Sequence, residues 1–313
     1  MLYSGRNLWL KKRYLVYGKG VHFHRVISVR QGWKHLLDYG ILRCSLFPSL
    51  RRRWVVKELT ISLSSPPTSF LFFDTSDYKD TYFIGQVAQE DGKVVFVKIY
   101  KEEAIAQKNR QQTQRANEVF ADSFVVAQLQ NSGGRVLSLE VLQKARNATI
   151  EEVWPLVFAH SLSMYRTAEK EHDWSPIVPW YTGDKITKEV VGHGDLSHWN
   201  CFWDEKSRLC LVDYEELGDY PPMYDCFHLL LKPTLLNTTA DIPMWACNEI
   251  ATATQEDVSR VLLWLFLYLA CENKKDRTRN KILNNSYIAQ AIENRCDLQQ
   301  KCQEKIQSYL NKE

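Results

Sequence analysis

The sequence predicts an α+β fold in two lobes, a small antiparallel-sheet lobe over residues 67–142 and a mainly helical lobe over 143–313, behind a basic, aromatic segment at 1–66. Three observations carry that prediction. Thr81–Gln89 and Lys93–Tyr100 are β-rich runs flanking Glu90-Asp91-Gly92, and an Asp-Gly pair in that position favours a hairpin. Beyond Pro222 the chain is mostly helical in pattern, and its most apolar stretch, Val261–Ala270, has the length of a buried helix. Finally, 313 residues with 45% apolar and 12% aromatic side chains bury a core large enough for one big domain or two smaller ones, which excludes general disorder.

Taken from the start, Met1–Ser65 mixes Trp, Tyr, Lys and Arg with strand-like runs such as Tyr14–Tyr17, and Pro66-Pro67 marks a boundary. Residues 1–60 hold 13 basic and two acidic residues, a charge of +11, against 27 basic and 35 acidic in the rest, or −8. The net +3 hides this asymmetry, and any attraction to polyanions or an anionic membrane is expected in the first segment. Ala104–Leu129 favours helix until Asn131-Ser132-Gly133-Gly134 stops it. Arg135–Leu142 reads as a strand, and Thr149–Glu171 as a helix with Thr149 and Glu152 spaced for a capping box. A loop at Gly192–Asn200 follows, then short strands near Cys201–Trp203 and Arg208–Val212 and a loop through Pro221-Pro222. The tail Asn285–Leu310 is polar with an apolar stripe at Ile288, Ala291, Ile292 and Leu298, the pattern of a packing helix or a partner surface.

Eight cysteines, at 44, 201, 210, 226, 247, 271, 296 and 302, are scattered without a Cys-x-x-Cys pair, so reduced thiols are expected. The first 20 residues lack the apolar stretch of a secretory signal. Val261–Ala270 falls short of the roughly 20 residues that span a bilayer as a helix. A cytoplasmic chain is expected, peripheral to the inner face of the membrane if residues 1–60 engage anionic lipid. Nucleic acid ranks below the membrane surface as a partner for the same charge.

The densest chemistry lies between Val190 and Asp225, where Asp195, Asn200 and Asp213 fall on three successive structural corners. Phosphoryl transfer needs such a set: a base that orients the acceptor hydroxyl, and an amide oxygen and a carboxylate that hold the ions bridging the ATP phosphates. Asp followed five positions later by Asn, then a strand ending in Asp, supplies those groups from adjacent loops. Any one of these residues in a polar loop reads as an ordinary turn former; the ordered set does not. Strand alternation points Glu215 to the side of Asp213 as a second carboxylate for magnesium, if extended geometry persists that far. Upstream, Lys98 sits on the second strand of the hairpin with apolar neighbours at alternate positions.

With these residues in order, the chain resembles the aminoglycoside phosphotransferase and choline kinase superfamily, and through it the protein-kinase-like fold. The motif H-x-D-x-x-x-x-N stands here as His193-Gly194-Asp195-Leu196-Ser197-His198-Trp199-Asn200, and the hydrophobic-Asp-x-Glu segment as Val212-Asp213-Tyr214-Glu215. The resemblance is convincing over Gly192–Leu231, extends to Thr81–Leu142 and is absent from the first 65 residues. It implies ATP and Mg2+ as cofactors, with Asp195 as the base and Asn200, Asp213 and Glu215 toward the metal. Asp225 matches an aspartate that opens the following helix and braces the catalytic loop, and His193 is read as supporting the loop backbone. Lys98 then contacts the α- and β-phosphates, Glu118 on the next helix is its expected partner, and backbone groups from Glu140 to Leu142 meet the adenine. One departure is that Phe73–Lys79 carries no glycine pattern to cover the phosphates.

The implied function is ATP- and Mg2+-dependent transfer to a hydroxyl of a small polar acceptor. A sugar or glycoconjugate comes first, because His-Gly-Asp-x-x-x-Trp-Asn followed by Pro-Pro-x-Tyr-Asp-x-Phe-His (Pro221–His228) resembles relatives associated with bacterial surface polysaccharides. The alternatives are an amino-alcohol or aminoglycoside kinase, with Trp174, Trp180, Tyr181 and Asp184 as a cation pocket, and a nucleotide-binding pseudokinase or scaffold. A scaffold is expected to have lost one of Asp195, Asn200 and Asp213, and all three are present.

Overall fold

The computed structural model describes residues 2–7, 12–17, 50–74, 80–130, 133–141, 146–283 and 286–311. Leu142, residues 75–79 and most of the basic first segment lie outside the described residues. The α+β class holds, and the chain divides into two compact units, one running to Arg146 and including Asp204–Cys210, the other made of Asn147–Trp203 and Leu211–Glu313.

The first unit is built on a six-stranded sheet. Its strands are β1 (Leu2–Asn7), β2 (Lys12–Tyr17), β3 (Pro67–Asp74), β4 (Thr81–Gln89), β5 (Val94–Tyr100) and β7 (Val136–Glu140), while β6 is the two-residue Val125–Val126. They lie in the order β1-β2-β3-β4-β5-β7, every neighbouring pair antiparallel. The β4–β5 hairpin turns at the Asp-Gly pair: Gly92 has φ +84°, which glycine adopts without strain, and Asp91 Oδ1 accepts from the Lys93 N–H at 3.0 Å.

Helix α1 (Leu50–Ser62) corrects the boundary expected at Pro66-Pro67. Val55, Leu59 and Leu63, spaced i, i+4, i+8, pack into one buried cluster with Phe70, Phe72, Val87, Val95, Val97 and Val136. Val55, Leu59 and Leu63 are therefore core of the same unit as the sheet. Helix α2 (Glu103–Phe120) also ends earlier than expected, because Val125 and Val126 favour extended backbone and residues 128–130 run beside β7, with Gln130 N–H to Ser138 O at 2.8 Å and Glu140 N–H to Gln128 O at 2.9 Å. Arg110 ties α2 to the start of β7, donating to the carbonyls of Gly134 (3.1 Å) and Val136 (2.8 Å).

The second unit follows the short β8 (Arg146–Asn147). It holds α3 (Ile150–Thr167), the antiparallel pair β9 (Glu171–Asp173) and β10 (Ile186–Lys188), then β11 (Val190–Gly192), β12 (Cys201–Trp203) and β14 (Gly218–Tyr220), while β13 (Leu209–Leu211) belongs to the first unit except for Leu211. Helices α4 (Tyr224–Leu235), α5 (Met244–Thr254), α6 (Val258–Leu283) and α7 (Ser286–Leu310) complete it. The capping box of α3 is present: Thr149 Oγ1 accepts from Glu152 N–H, and Glu152 Oε2 accepts from Thr149 N–H at 3.0 Å.

Val261–Leu265 and Leu267–Leu269 are fully buried on α6, as their all-round apolar pattern predicts, and among the described residues no helix is long and apolar enough to cross a membrane. The tail helix α7 packs inward through Ala291, Leu298, Cys302 and Ile306. It also carries a wholly buried Arg295, whose guanidinium donates to Asn273 Oδ1 (2.9 Å) and Asp276 Oδ2 (2.5 Å) of α6. The seven described cysteines are free thiols, and burial pushes Cys201, Cys226 and Cys247 up to about 12.

Candidate active site

The 193–200 loop begins where β11 ends, and β11 is held by antiparallel pairing with β14, Gly192 facing Gly218. Beyond Gly192 the backbone leaves the sheet and needs new partners for its N–H groups. Asp225 supplies them from the first turn of α4: its carboxylate accepts from His193 N–H at 2.7 Å and Gly194 N–H at 3.0 Å, both buried. A carboxylate in the first turn of a helix is also favoured by the helix dipole. Gly194 has φ +80°, and a Cβ there would stand 2.3 Å from both the Glu216 carbonyl and the Tyr220 hydroxyl, so no other residue fits without displacing backbone.

His193 is fully buried and bonds the loop to the strand that follows. Its Nδ1 accepts from Asp195 N–H at 3.3 Å, which makes Nε2 the protonated nitrogen, donating to Val212 O at 3.0 Å. Asn200 closes the loop from the other end. Its Nδ2 donates to Asp195 O at 2.8 Å and Asp195 Oδ2 at 3.3 Å, while its own carbonyl accepts from Val212 N–H at 3.1 Å. With the amide nitrogen committed, Oδ1 is the atom Asn200 has to give.

The Asp195 side chain is 31% exposed and takes a hydrogen bond on Oδ1 from His228 Nε2 at 3.0 Å. Burial alone would raise its pKa; the hydrogen bond and charge of His228, with Lys232 and His193, outweigh it and hold the carboxyl below the usual aspartate range. Asp213 stands in the left-handed region at φ +72°, ψ +62°, a conformation Asp tolerates better than most residues and one that clusters at functional sites. From there Tyr214–Glu216 form a single 3-10 turn. This removes the premise on which Glu215 was placed beside Asp213, because alternation of sides belongs to extended backbone. Glu216 is engaged elsewhere, 3.6 Å from Lys275 Nζ. Among the described residues no three His, Cys, Asp or Glu side chains converge as a metal site.

In the first unit, Lys98 is buried in a central strand, in register with Ile84 and Leu137, on the face of β5 opposite Val95, Val97 and Ile99. It is not a solvated edge charge, and a buried ammonium is a paired one. Glu118 is exposed on α2, away from the buried Ala106, Asn109, Thr113, Ala116 and Phe120. The exposed side of α2 is where the structure puts the carboxylate expected to pair with Lys98. Glu140, exposed at the end of β7, spends its N–H on Gln128 O.

Sequence reasoning did not find the groups behind Asp195: His228 and Lys232 on α4, Glu272 and Lys275 on α6, and Tyr220 and Tyr224. Glu272 is buried, with Oε1 accepting from the Tyr224 hydroxyl at 2.5 Å and lying 3.4 Å from Lys275 Nζ, and Oε2 accepting from Lys232 Nζ at 3.1 Å. Burial opposes its charge, but His228, Lys232, Lys275 and Tyr224 depress its pKa strongly. Lys275 Nζ also donates to Gly194 O at 3.2 Å, and to the hydroxyls of Tyr220 (3.0 Å) and Tyr224 (2.9 Å), whose rings stack 4.0 Å apart. Burial pushes the Tyr220 hydroxyl up to about 12. The signal was present in the spacing: Asp225, His228 and Lys232 follow i, i+3, i+7 on one helical face, and Glu272 and Lys275 follow i, i+3.

Residues 170–259, which contain Asp195, Asn200, Asp213 and Asp225, match the phosphotransferase enzyme family. No curated protein matches the chain. Among solved structures it is similar in fold to choline kinase LicA from Streptococcus pneumoniae, with 12% identity and TM-score 0.51 over 81% of this chain and 100% of that one. It is likewise similar to amicoumacin kinase hAmiN in complex with AMP-PNP, Ca2+ and Ami, with 13% identity and TM-score 0.50 over 80% of this chain and 93% of that one. A type I macrolide 2'-phosphotransferase shares 13% identity and TM-score 0.50 over 80% and 98% of the two chains.

Proposed function

We propose that this chain, which resembles the aminoglycoside phosphotransferase and choline kinase superfamily in its catalytic segment and its fold, transfers the γ-phosphoryl group of ATP to a hydroxyl of a small polar acceptor. The observation that carries the reading is the loop itself. Asp225 fixes the backbone at His193 and Gly194, Asn200 fixes Asp195 from the far side, and the Asp195 carboxylate is left partly exposed and ionised.

Asp195 takes a hydrogen bond from the acceptor hydroxyl and aims its oxygen at the phosphorus. A carboxylate held this acidic does not deprotonate an alcohol in advance. It receives the proton as the new O–P bond forms, which suits a loose transition state in which positioning outweighs base strength. Asn200 Oδ1 and the Asp213 carboxylate are hard oxygen donors of the kind that hold Mg2+, which takes few protein ligands and completes its shell with phosphate and water. The ion, when bound, neutralises charge on the phosphates. Lys98 supplies the cation for the nucleotide phosphates.

A sugar or glycoconjugate hydroxyl is the proposed acceptor, supported by the form of the motif and by what became of the cation pocket. Trp174 and Tyr181 are buried, Trp180 packs its edge on Phe266 at 5.1 Å, and Asp184 lies 3.6 Å from Arg260. The three aromatic residues are spent on packing, which weighs against an amino-alcohol cage built from them. A screen for acceptor-dependent ATP consumption across sugars, glycoconjugates, amino alcohols and aminoglycosides, with Asp195→Asn as control, tests the reading. Turnover on no hydroxyl, or turnover undiminished in Asp195→Asn, defeats it.

A further inference from the structure

Behind Asp195 lies a run of buried ionisable groups that the transfer outlined above leaves unused. His228 is 1% exposed at its side chain and Glu272 3%, and the two stand in line with Asp195: Nε2 of His228 bonds Asp195 Oδ1 at 3.0 Å, and its Nδ1 faces Glu272 Oε2 at 3.7 Å. The ring is boxed by Tyr224, nearly parallel at 5.9 Å, and by Tyr268, edge-on at 5.9 Å. Since the Asp195 carboxylate only accepts, the hydrogen in the bond belongs to His228.

We infer that His228 is a positioning residue for phosphoryl transfer, its Nε2–H holding Asp195 Oδ1, so that Oδ2 is the oxygen presented to the acceptor. This rests on the kinase reading. Two features argue for it beyond ordinary core packing. Burying the Glu272 carboxylate beside an imidazole and against two ammonium groups is costly, and replacing such a set with apolar side chains is often neutral or stabilising, so its presence points to a geometric purpose. Moreover, the loop is held at two points from the helices behind it, its Asp195 side chain by His228 on α4 and its Gly194 carbonyl by Lys275 on α6 at 3.2 Å, which lies 3.4 Å from Glu272.

The test uses the whole chain with ATP and an acceptor from the screen. His228→Leu is expected to lower kcat about 100-fold while KM for ATP stays within about twofold. His228→Gln, whose amide nitrogen reaches near the Nε2 position, is expected to recover to within about tenfold of the native rate. Native kcat in His228→Leu, or no recovery in a His228→Gln chain that melts like the native one, overturns the inference. A second readout needs no turnover. In histidine-15N protein the His228 Nε2–H resonance is expected to be protected from exchange and to shift in Asp195→Asn; a resonance indifferent to that change overturns the inference. A protein that shows the shift but phosphorylates no acceptor fails the kinase reading alone.

Discussion

Replacing Asp225 by Asn measures how much of the catalytic loop hangs on one side chain. The carboxylate accepts two buried backbone N–H groups, at 2.7 Å from His193 and 3.0 Å from Gly194. Each such charge-assisted bond contributes about 1.5–3 kcal/mol. Asn keeps one acceptor oxygen and turns an NH2 toward the other N–H, so one bond is lost outright and the second loses its charge, a cost of about 2–4 kcal/mol. In a unit of this size that is a fall of about 4–16 °C in Tm. Because the same bonds set where Asp195 begins, turnover should fall about 100-fold even below the melting temperature. Calorimetry with steady-state kinetics at 20 °C reads both. An Asp225→Asn protein that melts within about 2 °C of the native one and keeps its kcat would refute the reasoning.

Gly194→Ala must place a Cβ 2.3 Å from the Glu216 carbonyl at φ +80°, and is expected to cost at least about 100-fold in kcat or to yield no folded protein, read by turnover and circular dichroism. Glu215→Gln and Glu216→Gln should part over a magnesium titration if Glu215 reaches the metal, with a higher magnesium demand in the first alone; equal, small effects make Glu215 a surface acid. The depressed Asp195 pKa sets a sign for pH: a folded value below the unfolded one contributes stability that is present above the ordinary aspartate value of about 3.9 and is lost only as pH falls through the folded value. Kinetics at saturating ATP should show no inflection from this base between about pH 7 and 5, and one there would show that Asp195 is less acidic than its surroundings imply.

What the sequence told and what it hid divide along the chain separation of the partners. The turn at Asp91-Gly92, the Thr149–Glu152 capping box and the loop from His193 to Asn200 are local, each fixed by residues a few positions apart. Even the Asp225 clamp lies only 32 positions from His193 and repeats a family pattern. Glu272 lies 40 or more positions from Tyr224 and Lys232, and its local i, i+3 spacing from Lys275 reads equally as a solvated surface pair. Helix propensity carried α2 too far because pairing beside β7 overrides it at residues 128–130. The extended geometry assumed at Glu215 gave way for one reason, the left-handed turn at Asp213, which no pattern of side chains announces. The exposure of Glu118 is a matter of phase, since its position on α2 is set by which side packs.

The buried Arg295 sets a schedule for biosynthesis. Lys275 holds the Gly194 carbonyl from α6, and its chain neighbour Asp276 is held in turn by Arg295 on α7. A nascent chain that has released the whole 193–200 loop must still wait for about 100 more residues, roughly 5–20 s at ordinary elongation rates, before that guanidinium exists. Until then two acids and two lysines destined for burial have no finished interior to enter, and chaperones or proteases meet them first. Variants that loosen α7 should therefore appear as low yield during synthesis before they appear as low activity in purified protein.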